Sequence, residues 1–200
     1  MPDLSAAIVA GGRSSRMGRD KSFVLLHDRP MIEYVVARVS ALPVEQVLLI
    51  ANRPDDYASL RLTTHPDVFP DKGSLGGIFS AVYHSPSEYT LVVGCDMPYL
   101  SATLLRYLAG LRGERGGPYD VIVPVYDDHP QGLHAIYRKT VLAPIRADLE
   151  AERLKVIGFY STVNVRYVLP AEYQDLDREG QSFKNINTPE ELARANQNPL

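Results

Sequence analysis

Cysteine is nearly missing from this 200-residue chain: Cys95 stands alone. An intramolecular disulfide and a zinc site built on several thiolates are thereby excluded, and a reducing cytoplasm is the compartment this usage fits. There is no run long and apolar enough to span a bilayer, and the N-terminus lacks the basic-then-apolar pattern of a leader, so a soluble cytoplasmic protein with no membrane role is expected. An excess of positive charge is missing too. With 21 Lys and Arg against 24 Asp and Glu, the net charge is -3 and the pI near 5.9, which argues against a protein that coats nucleic acid. Neither standard phosphate fingerprint is present. Gly18 is followed by Arg19 and Asp20, not by the Lys-Ser/Thr of a Walker loop, and Gly11-Gly12-Arg13 does not open a G-x-G-x-x-G.

What the chain does have is the composition of one globular domain. Apolar residues make up 45% and charged residues 22%, enough to enclose a substantial core across residues 1–200. No internal repeat or low-complexity tract interrupts it. The organising stretch is Ala6 to Lys21. An apolar run, Ala6 to Ala10, reads as a buried strand, and Gly11-Gly12 then turns the backbone so that amides can face an anion. Arg13, Arg16, Arg19 and Lys21 add positive charge. Spacing alone fits equally well a glycine turn leading into a solvated basic loop.

Alternating strand and helix signals follow. Met31 to Leu42 carries Ile32, Val35, Val36 and Val39 at helical spacing, and Gln46 to Ala51 is apolar at nearly every position, as in a strand covered on both faces. Strand, helix and strand make a βαβ unit. A short helical segment at Asp55 to Leu60 and a weak strand at Thr63 to Pro66 lead to a second glycine-rich loop, Asp67 to Gly77. That loop opens a helix whose apolar face is Leu75, Ile78, Phe79 and Val82. Tyr89 to Cys95 reads as a central parallel strand with Asp96 at its tip. Ligand crevices of open parallel sheets lie beyond the carboxyl ends of the strands, so Gly11, Asn52 and Asp96 are expected near one another.

In the second half, Ser101 caps a helix from Ala102 to Leu111, and Tyr119 to Val125 is a strand. A polar loop, Asp127 to Gly132, separates it from Leu133 to Tyr137, and these two runs suit an edge hairpin-like pair. A helix from Val141 to Leu149, another near Leu154 and a strand at Val165 to Leu169 complete the pattern. Thr188-Pro189-Glu190-Glu191 is a full capping box for a last helix. The segment before it, Phe183 to Asn187, is too polar for core and too patterned for an idle linker.

Two glycine-rich loops, a basic cluster and a strand-end aspartate are what binding of a nucleotide polyphosphate with magnesium requires, because magnesium takes few carboxylates together with phosphate oxygens and water. Asp96 is the best candidate ligand, with a turn-capping aspartate as the alternative. Lys21 is the best point charge for the β- and γ-phosphates. His134, in an apolar-flanked strand, reads more readily as a buried histidine than as a ligand contact, and Asn185 and Asn187 could serve only to pair with backbone.

The run VAGGRSSRMGRDK, followed in order by GSLGG, GCDMP, PQGLHAIY and NINTPEEL, closely resembles the bacterial molybdenum cofactor guanylyltransferases over nearly the whole chain. The opening motif is shared with nucleotidyltransferases that make nucleotide sugars or cytidylyl compounds; the later motifs narrow the likeness. The resemblance implies a Rossmann-like three-layer αβα sandwich with a mostly parallel sheet, its nucleotide half at about 1–100 and its acceptor half at about 101–200. It implies that GTP and Mg²⁺ are used to attach GMP to molybdopterin or Mo-molybdopterin, with release of pyrophosphate. By position, Val9, Ala10, Gly11 and Asp67 would lie on the nucleotide, with Gly12, Gly76 and Asn52, the nearest amide, as further nucleotide-binding candidates. Lys21 would lie on the phosphates, Asp96 on magnesium, and Arg16 and Arg19 against the departing pyrophosphate. Gln131, His134, Lys184, Asn185 and Asn187 would form the acceptor wall. The likeness also implies transient contact with other molybdenum cofactor biosynthesis proteins and with apo-molybdoenzymes. Three departures stand out: Ile50 where some members carry a nucleotide-contacting asparagine, Ser74-Leu75-Gly76-Gly77 for Pro-Leu-Ala-Gly, and Gly132 where proline is common. Cytidylyl transfer to the pterin, nucleotidyl transfer to a sugar phosphate, and nucleotide binding without turnover are the competing readings.

Overall fold

The computed structural model describes residues 3–10 and 21–197. In chain order the elements are β1 (Leu4–Val9), β2 (Leu25–Leu26), β3 (Arg29–Pro30), α1 (Met31–Ser40), β4 (Val47–Ile50), β5 (Thr63–His65), α2 (Gly73–His84) and β6 (Tyr89–Gly94). They continue with α3 (Ala102–Gly110), β7 (Val121–Tyr126), β8 (His129–Pro130), β9 (His134–Arg138), α4 (Leu142–Glu150), β10 (Val165–Val168), α5 (Pro170–Tyr173) and α6 (Pro189–Gln197).

The main sheet has the order β10-β7-β9-β6-β1-β4-β5, with β8 paired to β7. Strands β5, β4, β1 and β6 are mutually parallel, as are β7 and β10, while β9 runs antiparallel to both its neighbours. The layering follows from the period-two alternation of each strand. In β1, Leu4, Ala6 and Ile8 join one core and Ala7 and Val9 the other, and every residue of the strand is buried. Helices α1 and α3 cover the first face through Ile32, Val35, Val39, Leu104, Leu105 and Leu108. Helices α2 and α4 cover the second through Leu75, Ile78, Phe79, Val82, Ile145 and Leu149. Each such aliphatic side chain contributes roughly 1.5–3 kcal/mol on burial, so the expected three-layer α/β sandwich follows from apolar runs that need cover on both sides. Ser101 caps α3 as its sequence predicts, accepting from the Leu104 N–H at 3.2 Å.

Several expectations are corrected. Residues 133–137 do pair antiparallel with the preceding strand, Val121 opposite Tyr137 and Ile122 opposite Ile136, but not at an edge: β9 lies inside the sheet between β6 and β7. The reason is burial on both faces: His134, Ala135, Ile136 and Tyr137 are each fully covered, which an edge strand with one wet face cannot achieve. The hairpin in this region is instead β7–β8, closed by Asp127 and Asp128 at φ 49° and 58°. A second small hairpin, β2–β3, turns on His27 and Asp28 at φ 47° and 62°. Paired left-handed residues match the twist of the flanking strands, and aspartate tolerates that conformation better than most residues. No helix forms around Leu154, where turns lead to a 3-10 segment at Gly158–Thr162. The Phe183 to Asn187 segment is less polar in effect than its composition suggests, because Phe183 and Ile186 are both buried.

Candidate active site

The parallel strands bring their carboxyl tips to one end of the sheet, and backbone bonds carry the ladder past the strand ends. Ala10 N–H donates to Ile50 O at 2.9 Å, Ala51 N–H to His65 O at 2.9 Å, and Cys95 N–H to Val9 O at 3.1 Å. Val9, Ala10, Asn52, Asp67 and Asp96 therefore stand on neighbouring tips. Val9 and Ala10 are buried, and Val9 O and Ala10 N–H are spent on these ladder bonds. Gly11, Gly12, Arg16 and Arg19 lie outside the described residues.

Lys21 opens the short 3-10 turn Lys21–Phe23 and reaches back across the tip of β6. Its Nζ sits 2.8 Å from Asp96 Oδ2, with the two side chains only 13% and 20% exposed. The same ammonium donates to the side-chain oxygen of Asn187. Residues 75 and 166 positions apart in the chain thus meet at a single cation. The loop carrying Asn187 is pinned in two ways. Ile186 N–H donates to the Asp96 carbonyl at 3.1 Å. Glu191 Oε2 accepts from the backbone of both Asn187 and Thr188, the latter at 3.0 Å, while Glu191 N–H donates to Thr188 Oγ1 at 3.1 Å. This is the capping box legible in the sequence, and here it fixes a site residue as well as a helix start. Those backbone bonds favour the charged form and hold the Glu191 carboxyl below its ordinary value.

Gly94 is a positional requirement that motif reading passes over. A Cβ built there would stand 2.7 Å from Asp96 Oδ1, so the carboxylate can fold back over the strand end only because residue 94 has no side chain. The signal was available as a lone glycine closing a strand, Tyr89–Gly94, whose other residues all have strand-forming or apolar side chains. The second glycine loop is set by close approach as well. A Cβ on Gly76 would meet Phe69 O at 2.9 Å, and one on Gly77 would meet Val9 Cγ1 at 2.6 Å. These two glycines let the start of α2 press the Asp67 loop against the end of β1.

Asn52 and Asp67 bond to each other: Asn52 Nδ2 donates to Asp67 Oδ2 at 2.9 Å, and Asp67 N–H donates to Asn52 Oδ1 at 2.9 Å. Asp67 Oδ1 is shut off from solvent without a protein partner.

The expected acceptor wall divides. Lys184, Asn185 and Asn187 are exposed, but Asn187 turns to Lys21. Gln131 spends its amide N–H groups on the carbonyls of His129 at 2.9 Å and Tyr126 at 3.3 Å, bracing the β7–β8 turn. His134 is not part of a surface. Its ring is wholly buried against Phe183, centroids 4.9 Å apart, and neither nitrogen has a hydrogen bond of good geometry. Burial pushes its pKa down to about 3, which the nearby backbone of Ser182 offsets in part, so the ring is neutral. Phe183 also packs against Tyr126 and Tyr173, with centroids at 5.0 and 5.6 Å. Lys184 and Asn185 thus follow a residue, Phe183, that is anchored among Tyr126, Tyr173 and the buried His134.

A single partly exposed carboxylate at a strand tip, Asp96, suits magnesium, which completes its shell with phosphate oxygens and water. Among the described residues no three His, Cys, Asp or Glu side chains cluster as a self-sufficient metal cage, and no helix is long and apolar enough to cross a membrane.

Comparison with known proteins agrees with this fold. The model of the MobA-like NTP transferase domain matches residues 6–162. A probable molybdenum cofactor guanylyltransferase of Carboxydothermus hydrogenoformans is 36% identical, covering 94% of this chain and 93% of that protein. The molybdenum cofactor guanylyltransferase of Vibrio parahaemolyticus is 34% identical over 96% of this chain and 95% of its own. The crystal structure of molybdopterin-guanine dinucleotide biosynthesis protein A from Archaeoglobus fulgidus superposes with a TM-score of 0.83 at 27% identity, covering 96% and 97% of the two chains. With that family model matching most of the chain and relatives 36% and 34% identical over nearly its full length, this chain belongs to the MobA-like NTP transferase family.

Proposed function

We propose that this protein transfers GMP from GTP to the terminal phosphate of molybdopterin or its molybdenum-bearing form, giving the guanine dinucleotide and pyrophosphate. The observation that carries this reading is the meeting of Lys21, Asp96 and Asn187, one from each of three motifs, at the tip of the central strand. The nucleotide would lie over residues 1–100 and the acceptor over residues 101–200, where Lys184 and Asn185 are exposed.

In the transfer, an acceptor phosphate oxygen forms a bond to the α-phosphorus of GTP in line as the bond to the β-phosphate bridge breaks. The nucleophile is already anionic, so no general base is needed, and the neutral, buried His134 supplies none. Lys21 would neutralise the charge that gathers on the departing pyrophosphate, a role that needs it to exchange Asp96 for phosphate oxygens. Asp96 would hold Mg²⁺, which would supply positive charge to offset that of the phosphates. The strand-tip backbone at Val9 and Ala10, with Asp67 and the Gly76 turn, would orient the nucleoside. Arg16 and Arg19 are proposed to assist at the pyrophosphate from the opening loop.

The test is pyrophosphate release with molybdopterin across GTP, CTP, ATP and UTP, with and without chelation of divalent metal. Turnover with GTP that chelation abolishes is expected. Equal rates with all four nucleotides would refute the guanine assignment, and CTP preference would reassign the enzyme to cytidylyl transfer. Nucleotide binding without any pyrophosphate release would point to a non-catalytic partner in cofactor handover.

A further inference from the structure

The nucleoside side of the crevice contains a pair whose geometry assigns it a division of labour. Strands β4 and β5 are in parallel register with Ile50 opposite His65, and the bond from Ala51 N–H to His65 O extends that register beyond the strands. Asn52 and Asp67 are thereby placed side by side. The amide of Asn52 uses both its ends on one residue, donating to the carboxylate and accepting from the backbone N–H of Asp67. The backbone N–H can only donate, so the orientation of the amide is fixed. A ring closed in this way ties both the backbone N–H and the carboxylate of Asp67 to one amide.

The residue is held from the other side as well. Val68 N–H donates to Ser80 Oγ at 2.9 Å, and that hydroxyl donates to Gly76 O at 2.8 Å, tying the loop to the first turns of α2. So restrained, Asp67 retains one oxygen, Oδ1, with no protein donor and no access to solvent. A buried carboxylate oxygen without a partner is costly, and in a ligand crevice the cost is removed by a donor on the ligand. Asn52, in contrast, is exposed and engaged.

We propose that Asn52 is a positioning residue: it presents Asp67 Oδ1 as the acceptor for N–H or O–H donors of the nucleoside and does not itself touch the base. The proposal rests on the reading of this crevice as a nucleotide site. It also gives an account of Ile50. With an apolar side chain at that position, the amide nearest the base is used to aim a carboxylate, and the carboxylate does the recognising.

The experiment measures KM and kcat for GTP, with ATP as the control nucleotide, in Asn52→Ala, Asn52→Asp, Asp67→Asn and the double variant Asn52→Ala/Asp67→Asn. Circular dichroism and thermal melting check that each variant is folded. Asn52→Ala is expected to raise KM for GTP about tenfold while changing kcat less than about threefold, a split that general damage to the fold does not produce. Asn52→Asp is expected to be worse, because it replaces a donor with a second carboxylate facing Asp67. The double variant should be no more impaired than Asp67→Asn alone, since residues acting through one another are not additive. Independent, additive losses would overturn the proposal, as would an unchanged KM in Asn52→Ala. If the wild-type protein binds neither nucleotide, the assignment of the crevice fails and this inference fails with it.

Discussion

Replacing Lys21 with methionine keeps roughly the length and apolar stem of the side chain and removes its charge and its hydrogen-bond donors. In the free protein the ammonium lies 2.8 Å from Asp96 Oδ2 in a partly covered site and also donates to Asn187. At an effective dielectric of about 20, two unit charges about 4 Å apart attract by roughly 4 kcal/mol. Desolvation and ordering of the two side chains cancel most of that, leaving about 1 kcal/mol of net stability. For a chain of this size, that corresponds to a fall in melting temperature of about 2–4 °C. The effect on transfer is expected to be larger. Lys21 would then be missing where negative charge accumulates, and loss of one such electrostatic donor costs ~2–4 kcal/mol of transition-state stabilisation, or roughly 30- to 1,000-fold in kcat/KM. The assay is pyrophosphate release at fixed acceptor and varied GTP, run beside a thermal melt. A variant that melts within a few degrees of wild type and yet retains kcat/KM within about threefold would refute the role given to Lys21. A melt lowered by about 15 °C or more would show that the pair supports the fold far more than its exposure suggests.

Two further outcomes follow from the same geometry. Gly94→Ala puts a methyl 2.7 Å from Asp96 Oδ1, so the carboxylate must rotate away; stability should fall by about 1–3 kcal/mol, and transfer should fall further than stability does, read from urea midpoints and initial rates. His134, buried as the neutral ring with its pKa at about 3 against an ordinary 6.5, binds its proton in the unfolded chain before it does in the folded one. Its contribution to stability is therefore intact above pH 6.5 and is lost as the pH falls toward 3, at up to about 1.4 kcal/mol per pH unit. Urea unfolding at pH 7, 6 and 5 should show this slope in wild type and a shallower one in His134→Leu. Equal slopes would refute the assignment of a buried neutral histidine.

Much of this protein was determined by the sequence alone, and for local reasons. Apolar runs such as Ala6 to Ala10 and Tyr89 to Cys95 need cover on both faces. Helical spacing in Met31 to Leu42, the Ser101 cap and the Thr188–Glu191 box depend on near neighbours, and they dictate α/β layering and the placement of Asp96 at a strand tip. The motif order also carried the family. Only the tertiary structure decided what those residues do to one another. That β9 lies inside the sheet depends on burial from both sides and on its second pairing with β6, which its pairing with β7 alone does not reveal. That Asn187 serves Lys21, that Asn52 is spent on Asp67, and that His134 lies beneath Phe183 are contacts between residues 15 to 166 positions apart. Spacing in the chain holds no information about such distances, because they are set by which strands adjoin and by how closely the glycines at 76, 77 and 94 let the backbone approach.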